Sequence, residues 1–258
     1  SKVITTVWKK RRQEPKGLAK GDPLWYNGTS QSRFSGEKLM KLSNDTREVL
    51  KNFSTINQNL LVKNGNTIGT MSAMKNIVSK ATVPDTFENE FAIYDLNEFL
   101  SAMSLFKDPT LDFDEKSVRL NEEGGGSNLT YMFSDPSIVT APKTEISMPS
   151  VDVEFTFTQD TFNQIQKASA VLGVPDVVLT GVEGGDIKLT VTDRKNDTSN
   201  DYSISVGENS PSSFTYWFKV ENLKLLSGDY KVEVSEKGIS HFVNINKQIE
   251  YFIALEAA

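Results

Sequence analysis

The chain contains few residues whose types and spacing are suited to catalysis. His241 is its only histidine, and it lies in an alternating segment, ISHFVNI, that is typical of a half-buried strand. Asp108, Asp112, Asp114 and Glu115 could together bind a hard cation, but they lack the glycine and the terminal glutamate of a calcium loop. The sequence therefore predicts no catalytic residue, no metal site and no cofactor. A hydrolase built around His241 is the rival hypothesis.

Basic side chains lie on the outer side of one predicted helix, residues 44–56. Its apolar residues follow a 3.6-residue period and share one side: Val49, Leu50, Phe53 and Ile56. Arg47 and Lys51 are one turn apart and fall nearly opposite that side. Ser43 is the predicted N-cap, and Asp45 in the first turn interacts favourably with the helix dipole. The helix is therefore predicted to bury one side and to present a basic one.

A weaker copy of this helix follows about 115 residues later, at residues 159–172. Its apolar residues again share one side, and Lys167 is predicted to point outward. Thr158 takes the N-cap position that Ser43 has in the first copy. A chain that repeats such a helix is predicted to build one surface from similar units.

Composition restricts the class of protein. The chain has 258 residues, 38% of them hydrophobic, and no cysteine, which fits one large or two smaller domains in a reducing compartment. Because no apolar run is long enough to span a bilayer, the protein is expected to be soluble and not secreted.

The net charge of −6 is unevenly distributed. Residues 1–39 contain nine Lys/Arg and three Asp/Glu, whereas the remaining 219 residues contain 19 basic and 31 acidic ones. An acidic body of this kind is unsuited to tight, nonspecific DNA binding by charge alone. Contact with nucleic acid would therefore need its few cations to be gathered on one face.

Residues 1–39 are predicted to be a disordered basic extension. The run KKRR at residues 9–12 is followed by glycines and prolines without hydrophobic periodicity. Two interpretations are open: a basic tether for nucleic acid, or a tag, linker or over-extended reading frame. The second is favoured.

The remaining chain is predicted to use one unit of strands and helices twice. Residues 40–134 follow the order β-α-β-β-β-α-β-β-β, with the second helix at residues 95–106. Residues 135–151 are proline-rich and extended, and are predicted to connect the two halves.

The second half, residues 152–258, repeats this order. Its second helix is predicted at residues 220–226, ended by Gly228. The predicted fold class is α+β, with two similar domains that each pack two helices on a mostly antiparallel sheet.

Segments spread over residues 40–258 resemble one known family. These segments are MKLS, LKNFSTIN, AIYDLNEFL, SDPSIVTAP, LLSGDYKV and EYFIALEA. Together and in this order they resemble the sliding clamp (DNA polymerase processivity factor) of T-even-type phages. The resemblance implies the DNA-clamp fold and a homotrimeric ring. Six domains of such a ring surround duplex DNA, with helices lining the hole and sheets forming the outer wall.

The resemblance also implies which cations face DNA. The expected DNA-binding residues lie on the helices or at their entries: Lys41, Arg47, Lys51, Lys167, Lys219 and Lys224. The second helix of the first half departs from this expectation. Asp95 and Glu98 are its only charges, and only Lys107 follows them.

Two further surfaces are implied by the same resemblance. Partner tails would insert apolar side chains near the connector and the last strand, at Ile138, Val139, Pro142, Tyr251, Ile253 and Leu255. The ring would close by pairing of sheet edges, with one subunit giving Leu129, Tyr131 and Phe133 and the next giving Tyr202, Ile204 and Val206.

The sequence therefore predicts a non-enzymatic sliding clamp that encircles duplex DNA and tethers the replicative DNA polymerase. The implied partners are double-stranded DNA, that polymerase, an ATP-dependent clamp loader and two further copies of the chain. The implied location is the cytoplasm of the infected bacterial host, with no membrane association. The alternatives are a monomeric two-domain DNA-binding processivity factor and a non-catalytic, structural β-rich assembly protein.

Overall fold

The computed structural model describes residues 39–257, so the predicted basic extension, Leu39 apart, lies outside the described residues. Three α-helices are described within this range: α1 (Asn44–Ile56), α2 (Leu96–Ser104) and α3 (Gln159–Leu172). All three had been expected from hydrophobic periodicity, and their bounds agree with the prediction to within two residues.

The helices α1 and α3 begin at hydroxyl N-caps, as predicted. Ser43 Oγ accepts the N–H three residues further on at 3.2 Å, and Thr158 Oγ1 does the same at 3.1 Å. At each of these helix N-termini, a carboxylate from elsewhere in the same half accepts a further backbone N–H. Asp85 accepts the N–H of Ser43 at 2.9 Å, and Asp229 accepts the first N–H of α3 at 2.7 Å. The two halves therefore share one device for starting their long helix, a hydroxyl cap beside an acid.

Fifteen strands are described, and they form three sheets. The strands of the first half are β1 (Leu60–Val62), β2 (Gly65–Met71), β3 (Ile77–Phe87), β4 (Phe91–Ile93), β5 (Thr110–Phe113), β6 (Ser117–Asn121) and β7 (Asn128–Met132). Those of the second half are β8 (Val153–Phe157), β9 (Asp176–Gly181), β10 (Ile187–Thr192), β11 (Tyr202–Gly207), β12 (Phe214–Lys219), β13 (Tyr230–Ser235), β14 (Ile239–Asn244) and β15 (Ile249–Ala254).

The largest sheet has eight strands in the order β4-β1-β2-β3-β15-β14-β13-β8. The pairing of β3 with β15 joins the two halves: Ile77 lies opposite Ile253 and Ala81 lies opposite Ile249, antiparallel. Four strands from each half thus form one continuous sheet. The other two sheets, β5-β6-β7 and β11-β10-β9-β12, each belong to one half.

Cross-strand register defines the two faces of the eight-stranded sheet. Phe155 lies opposite Val232, Val232 opposite Phe242, Phe242 opposite Tyr251, and Tyr251 opposite Ser79. Residues directly opposed in an antiparallel sheet share a face, and their sequence neighbours share the other. We call the face of these five residues the helix face and the opposite one the outer face.

Both long helices lie on the helix face. The hydroxyl of Tyr251 donates to Asn52 Oδ1 of α1 at 2.8 Å. The ring of Phe162 of α3 lies 5.8 Å from that of Phe157, which is opposite Tyr230 on the same face. One surface of the sheet therefore carries the repeated helices of both halves, as the repeat predicts.

Two buried tyrosines lie beneath these helices, and one of them, Tyr251, connects the halves through Asn52. The Tyr251 hydroxyl accepts the N–H of Leu226 at 3.0 Å, and the Tyr230 hydroxyl donates to the carbonyl of Leu226 at 2.5 Å. Both side chains are almost completely buried. Burial raises the pKa of Tyr230 to about 12 and that of Tyr251 further still, so both hydroxyls keep their protons and remain donors.

The predicted helix at residues 220–226 is wrong, because the chain forms only a 3-10 turn there, Val220–Asn222. The backbone groups that follow the turn have other partners. The carbonyl of Lys224 accepts a hydrogen bond from Asn52 Nδ2 at 2.9 Å, and both backbone groups of Leu226 bond the two buried tyrosine hydroxyls. These distant partners replace helical hydrogen bonds, and a local hydrophobic period cannot reveal them.

Tyr251→Phe is expected to lower the free energy of unfolding by about 1–3 kcal/mol, because it removes the hydrogen-bond partner of the Leu226 N–H and of Asn52 Oδ1. Urea denaturation followed by circular dichroism measures the loss. Tyr202→Phe is the matched control, since its hydroxyl donates to Gln164 at 2.8 Å on the surface; its effect is expected to stay below about 0.5 kcal/mol. Equal losses in the two variants would contradict the buried connection.

Candidate functional sites on the helix face and at the connector groove

Two lysines are exposed on the repeated helices. Lys51 of α1 and Lys167 of α3 are both exposed, and within residues 39–257 neither forms an ion pair or a side-chain hydrogen bond. Because α1 and α3 lie on one face of one sheet, these two ammonium groups belong to the same side of the molecule. They are available to contact an anion.

Two other predicted DNA-binding residues are held by acids at the start of α1. Lys41 Nζ lies 2.9 Å from Asp108 and 2.8 Å from Glu123, and Arg47 Nη2 lies 3.2 Å from Asp108. The hydrogen bond from Lys41 lowers the pKa of Asp108, and the bond to Glu123 raises the pKa of Lys41. This cluster is balanced in charge, so it attracts DNA less than the sequence alone suggests.

Lys219 and Lys224 have structural partners that the sequence did not indicate. Lys219 pairs with Asp176, whose side chain is only 3% exposed, and this bond raises the pKa of Lys219. Lys224 Nζ donates to the carbonyl of Thr55 at 2.7 Å, in the last turn of α1. A positive charge at this end of a helix interacts favourably with the helix dipole. Both side chains therefore stabilise the fold.

The helix α2 adds no cation to this side. Its N-cap is Asp95, whose carboxylate accepts the N–H groups of Asn97 and Glu98 at 3.0 and 3.1 Å. Lys107, after the helix, is exposed. The basic character of the helix face within residues 39–257 therefore comes chiefly from α1 and α3.

On the outer face, the connector and the sheet enclose a groove of about 290 Å³. Its apolar lining comes from Leu61, Val78 and Phe252 on the sheet and from Pro142 and Ile146 on the connector. We call this the connector groove. A concave apolar surface of this size can accept one or two large side chains from a partner.

Three contacts hold the connector over the sheet. The N–H of Thr140 donates to Asn59 Oδ1 at 3.3 Å, and Lys80 Nζ lies 2.9 Å from Glu145. Pro142 lies beside Gly69, where a Cβ atom would be 3.7 Å from Pro142 Cγ, an ordinary van der Waals distance. The tighter neighbour of that Cβ would be the carbonyl of Ser79 on β3, at 3.3 Å, so glycine here relieves crowding between β2 and β3.

Two of the predicted partner-binding residues do not line the connector groove. Tyr251 and Ile253 are fully buried and lie on the helix face, so they cannot receive a partner side chain. Their neighbours Glu250 and Phe252 line the groove instead. Of the predicted connector residues, only Pro142 lines it.

Three more predicted partner-binding residues lie outside the groove lining. Ile138 is 59% exposed, and Val139 and Leu255 are half-buried. Their role in binding a partner stays a prediction.

His241 supports the groove from the neighbouring strand. Its ring stacks on Phe252 with the centroids 4.2 Å apart and the planes 4° from parallel. Nδ1 lies 3.4 Å from Glu233 Oε2, and Nε2 lies 2.9 Å from Glu250 Oε2. Because both ring nitrogens face carboxylates, His241 is not arranged as the base of a serine nucleophile.

The predicted subunit-interface residues lie on sheet edges. β7 ends the three-stranded sheet and β11 ends the four-stranded one. Five of the six are partly buried and pack against the core, and Tyr202 is 40% exposed: Leu129, Tyr131, Phe133, Tyr202, Ile204 and Val206. Met132 on β7, which the prediction omitted, is 60% exposed. Their pairing with a second copy of the chain stays a prediction.

Residues 39–257 contain no group of His, Cys, Asp or Glu side chains placed to hold a metal ion. Asp112, one of the acids considered above, is buried in β5. In the same range of the chain, every helix is too short or too polar to cross a membrane.

The fold is that of processivity clamps. The chain superposes on the PCNA of A. fulgidus bound to the C-terminal region of FEN-1 with a TM-score of 0.60 and 11% identity, over 82% of this chain and 95% of that one. It superposes on the Helicobacter pylori β clamp bound to a DNA ligase peptide with a TM-score of 0.65 and 11% identity, over 85% of this chain and 66% of that one. At this identity the likeness establishes the fold alone.

Sequence comparison identifies the family. Residues 43–140 match the family model described as DNA polymerase processivity factor, and residues 154–257 match the model described as gp45 sliding clamp, C terminal. The sliding clamp of Vibrio phage KVP40 is 36% identical over 223 residues, which cover 84% of this chain and 100% of that protein. The chain therefore belongs to the phage sliding-clamp family of DNA polymerase processivity factors, and the predicted resemblance and clamp fold are confirmed.

Asn59→Ala is expected to loosen the connector, because the N–H of Thr140 and the carbonyl of Tyr94 both bond the Asn59 side chain. Amide hydrogen exchange over residues 140–146 should become about fivefold faster, as expected for the loss of about 1 kcal/mol of hydrogen bonding. Asn66→Ala is the control, since Asn66 is exposed on β2 and its side chain forms no hydrogen bond within residues 39–257. Unchanged exchange in the connector would contradict the role given to Asn59.

Proposed function

We propose that three copies of this chain close into a ring around duplex DNA and tether the replicative DNA polymerase during synthesis. One observation carries the proposal: a single sheet that spans both halves has the repeated helices and their free lysines on one face and the connector groove on the other. The first face is suited to DNA, and the second is suited to protein partners. The protein acts without catalysis, cofactor or metal.

The charge distribution fits a protein that is linked to DNA by topology. A ring needs only weak contacts, because strong neutralisation of phosphates would slow its movement along the duplex. Lys51 and Lys167 supply two cations per copy on the helix face that have no partner among residues 39–257, while the whole chain has a net charge of −6. The acidic remainder repels DNA from other surfaces, which leaves the helix face as the favourable side.

Ring closure would use the free edges of β7 and β11. Each ends a sheet and presents unpaired backbone groups, which can pair with a strand of another chain. The two edges differ, so their pairing is head to tail and can close into a ring.

The connector groove would bind the polymerase and the clamp loader. The clamp structures that share this fold include one bound to the C-terminal region of FEN-1 and one bound to a DNA ligase peptide. Phe252 and the apolar connector residues offer this chain a comparable means of binding a partner tail. The loader supplies ATP hydrolysis. The site of action is the cytoplasm of the infected bacterium.

Lys51→Glu combined with Lys167→Glu is expected to slow loading onto DNA by about tenfold or more, the size of effect that a focused charge field has on association. The measurement is retention of labelled protein on nicked circular DNA in the presence of polymerase and loader, before and after the DNA is linearised. The unchanged protein should be retained on circles and lost from linear DNA. Retention that does not depend on circularity would instead favour a monomeric DNA-binding factor.

The control for charge reversal is Lys195→Glu combined with Lys237→Glu, since both lysines are exposed and neither lies on α1 or α3. This variant should load normally. If both double variants lose loading equally, the assignment of Lys51 and Lys167 to DNA is wrong.

Met132→Lys combined with Ser205→Lys should disrupt the ring, because it places positive charges on both edges that are proposed to meet. Sedimentation equilibrium should show a shift from trimer mass toward monomer mass with an unchanged circular dichroism spectrum. Thr215→Lys is the control on β12, the opposite edge of the four-stranded sheet. A monomeric unchanged protein, or a trimer in the double variant, would contradict the proposed edges.

A further inference from the structure

Five charged residues line the connector groove, and three of them are engaged with other residues of the fold. Lys80 Nζ lies 2.9 Å from Glu145 Oε1. Glu250 Oε2 lies 2.9 Å from Nε2 of His241, which also faces Glu233. Both acids of the groove are therefore held by neighbouring side chains, and their capacity to repel an acidic guest is reduced.

The other two charged residues of the lining are free. Lys63 follows β1 on the sheet side, and Lys143 follows Pro142 on the connector side. Both are exposed, and within residues 39–257 neither makes an ion pair or a side-chain hydrogen bond. An occupant held between the sheet and the connector would thus have one unpaired ammonium group on each side.

The floor of the groove between these lysines is apolar. Leu61, Val78 and Phe252 form this floor, and Ile146, 37% exposed, stands on the connector side. A nucleic-acid strand would meet the two lysines but would also bury its phosphates against this apolar floor. An apolar side chain flanked by carboxylates matches both the floor and the two free cations.

We propose that the connector groove selects extended partner peptides whose apolar anchor is flanked by Asp or Glu residues, and that Lys63 and Lys143 provide this preference. The proposal rests on the function given above, in which the groove binds partner tails. It adds the chemical class of the tail and the residues that distinguish it.

The test uses three fluorescein-labelled peptides with the same Leu/Phe-rich core and with flanks of Glu, Ser or Lys. Fluorescence anisotropy against the full-length protein measures their dissociation constants at about 50 mM and about 500 mM NaCl. The Glu-flanked peptide should bind about tenfold more tightly than the Lys-flanked one at low salt, with the Ser-flanked peptide between them. The preference should shrink to about twofold or less at high salt.

Lys63→Glu combined with Lys143→Glu should reverse the order of the peptides, and Lys63→Gln combined with Lys143→Gln should abolish the preference while the Ser-flanked peptide binds as before. Lys237→Gln, on an exposed turn outside the groove, is the control and should change nothing. Because all these side chains are exposed, thermal unfolding and sedimentation should be unaltered, which separates a change in recognition from a change in fold.

The outcomes separate the two proposals. Equal affinity for the three peptides, or a preference that survives in the Gln variant, would overturn the selection by Lys63 and Lys143 and leave the groove as a partner site. No binding by any of the three would refute the partner site itself, and the preference with it.

Discussion

The antiparallel pairing of β3 with β15 is the constraint on which the rest of the structure depends. It joins one strand from each half, and successive side chains of β15 then point alternately to the helix face and to the outer face of the sheet. Tyr251 points to the helix face and bonds α1, whereas Glu250 and Phe252 point to the connector groove. A shift of one residue in this register would turn Tyr251 toward the groove and Glu250 and Phe252 toward the helices. The same pairing therefore positions the helices and completes the groove on the opposite side.

Local ion pairs decide which of the cations predicted to contact DNA remain unpaired among the described residues. An acid already balances Lys41, and Lys219 pairs with the buried Asp176, so neither contributes a free charge near the helices. Lys51 and Lys167 lack such partners among the described residues. In the ring proposed above, a small number of free cations would be an advantage, because centring the duplex would require attraction without tight binding. More free lysines on α1 and α3 would bind DNA more tightly and would slow the movement of the protein along it.

The sequence predicted most elements because their signals are local. The caps at Ser43 and Thr158, the helical periods and the turn residues each depend on a few neighbouring positions. The orientation of β15 could not be predicted in this way, because its residues 251–253 are buried on both faces and no polar alternation marks the side that faces the groove. The prediction of a helix at residues 220–226 is wrong for another reason. The backbone partners of this segment include Asn52, which is 172 positions from Lys224 along the chain.

The same segment explains why the internal repeat is imperfect. In the first half α2 packs against α1, and in the second half the turn Val220–Asn222 packs against α3 in its place. The residues after that turn also serve the other half: Lys224 bonds both the side chain of Asn52 and the carbonyl of Thr55 on α1. In a full helix these backbone groups would form hydrogen bonds within the helix, and the connection to α1 would be lost. The second half therefore lacks a second helix at the place where its backbone bonds α1 of the first half, and the asymmetry follows from this connection.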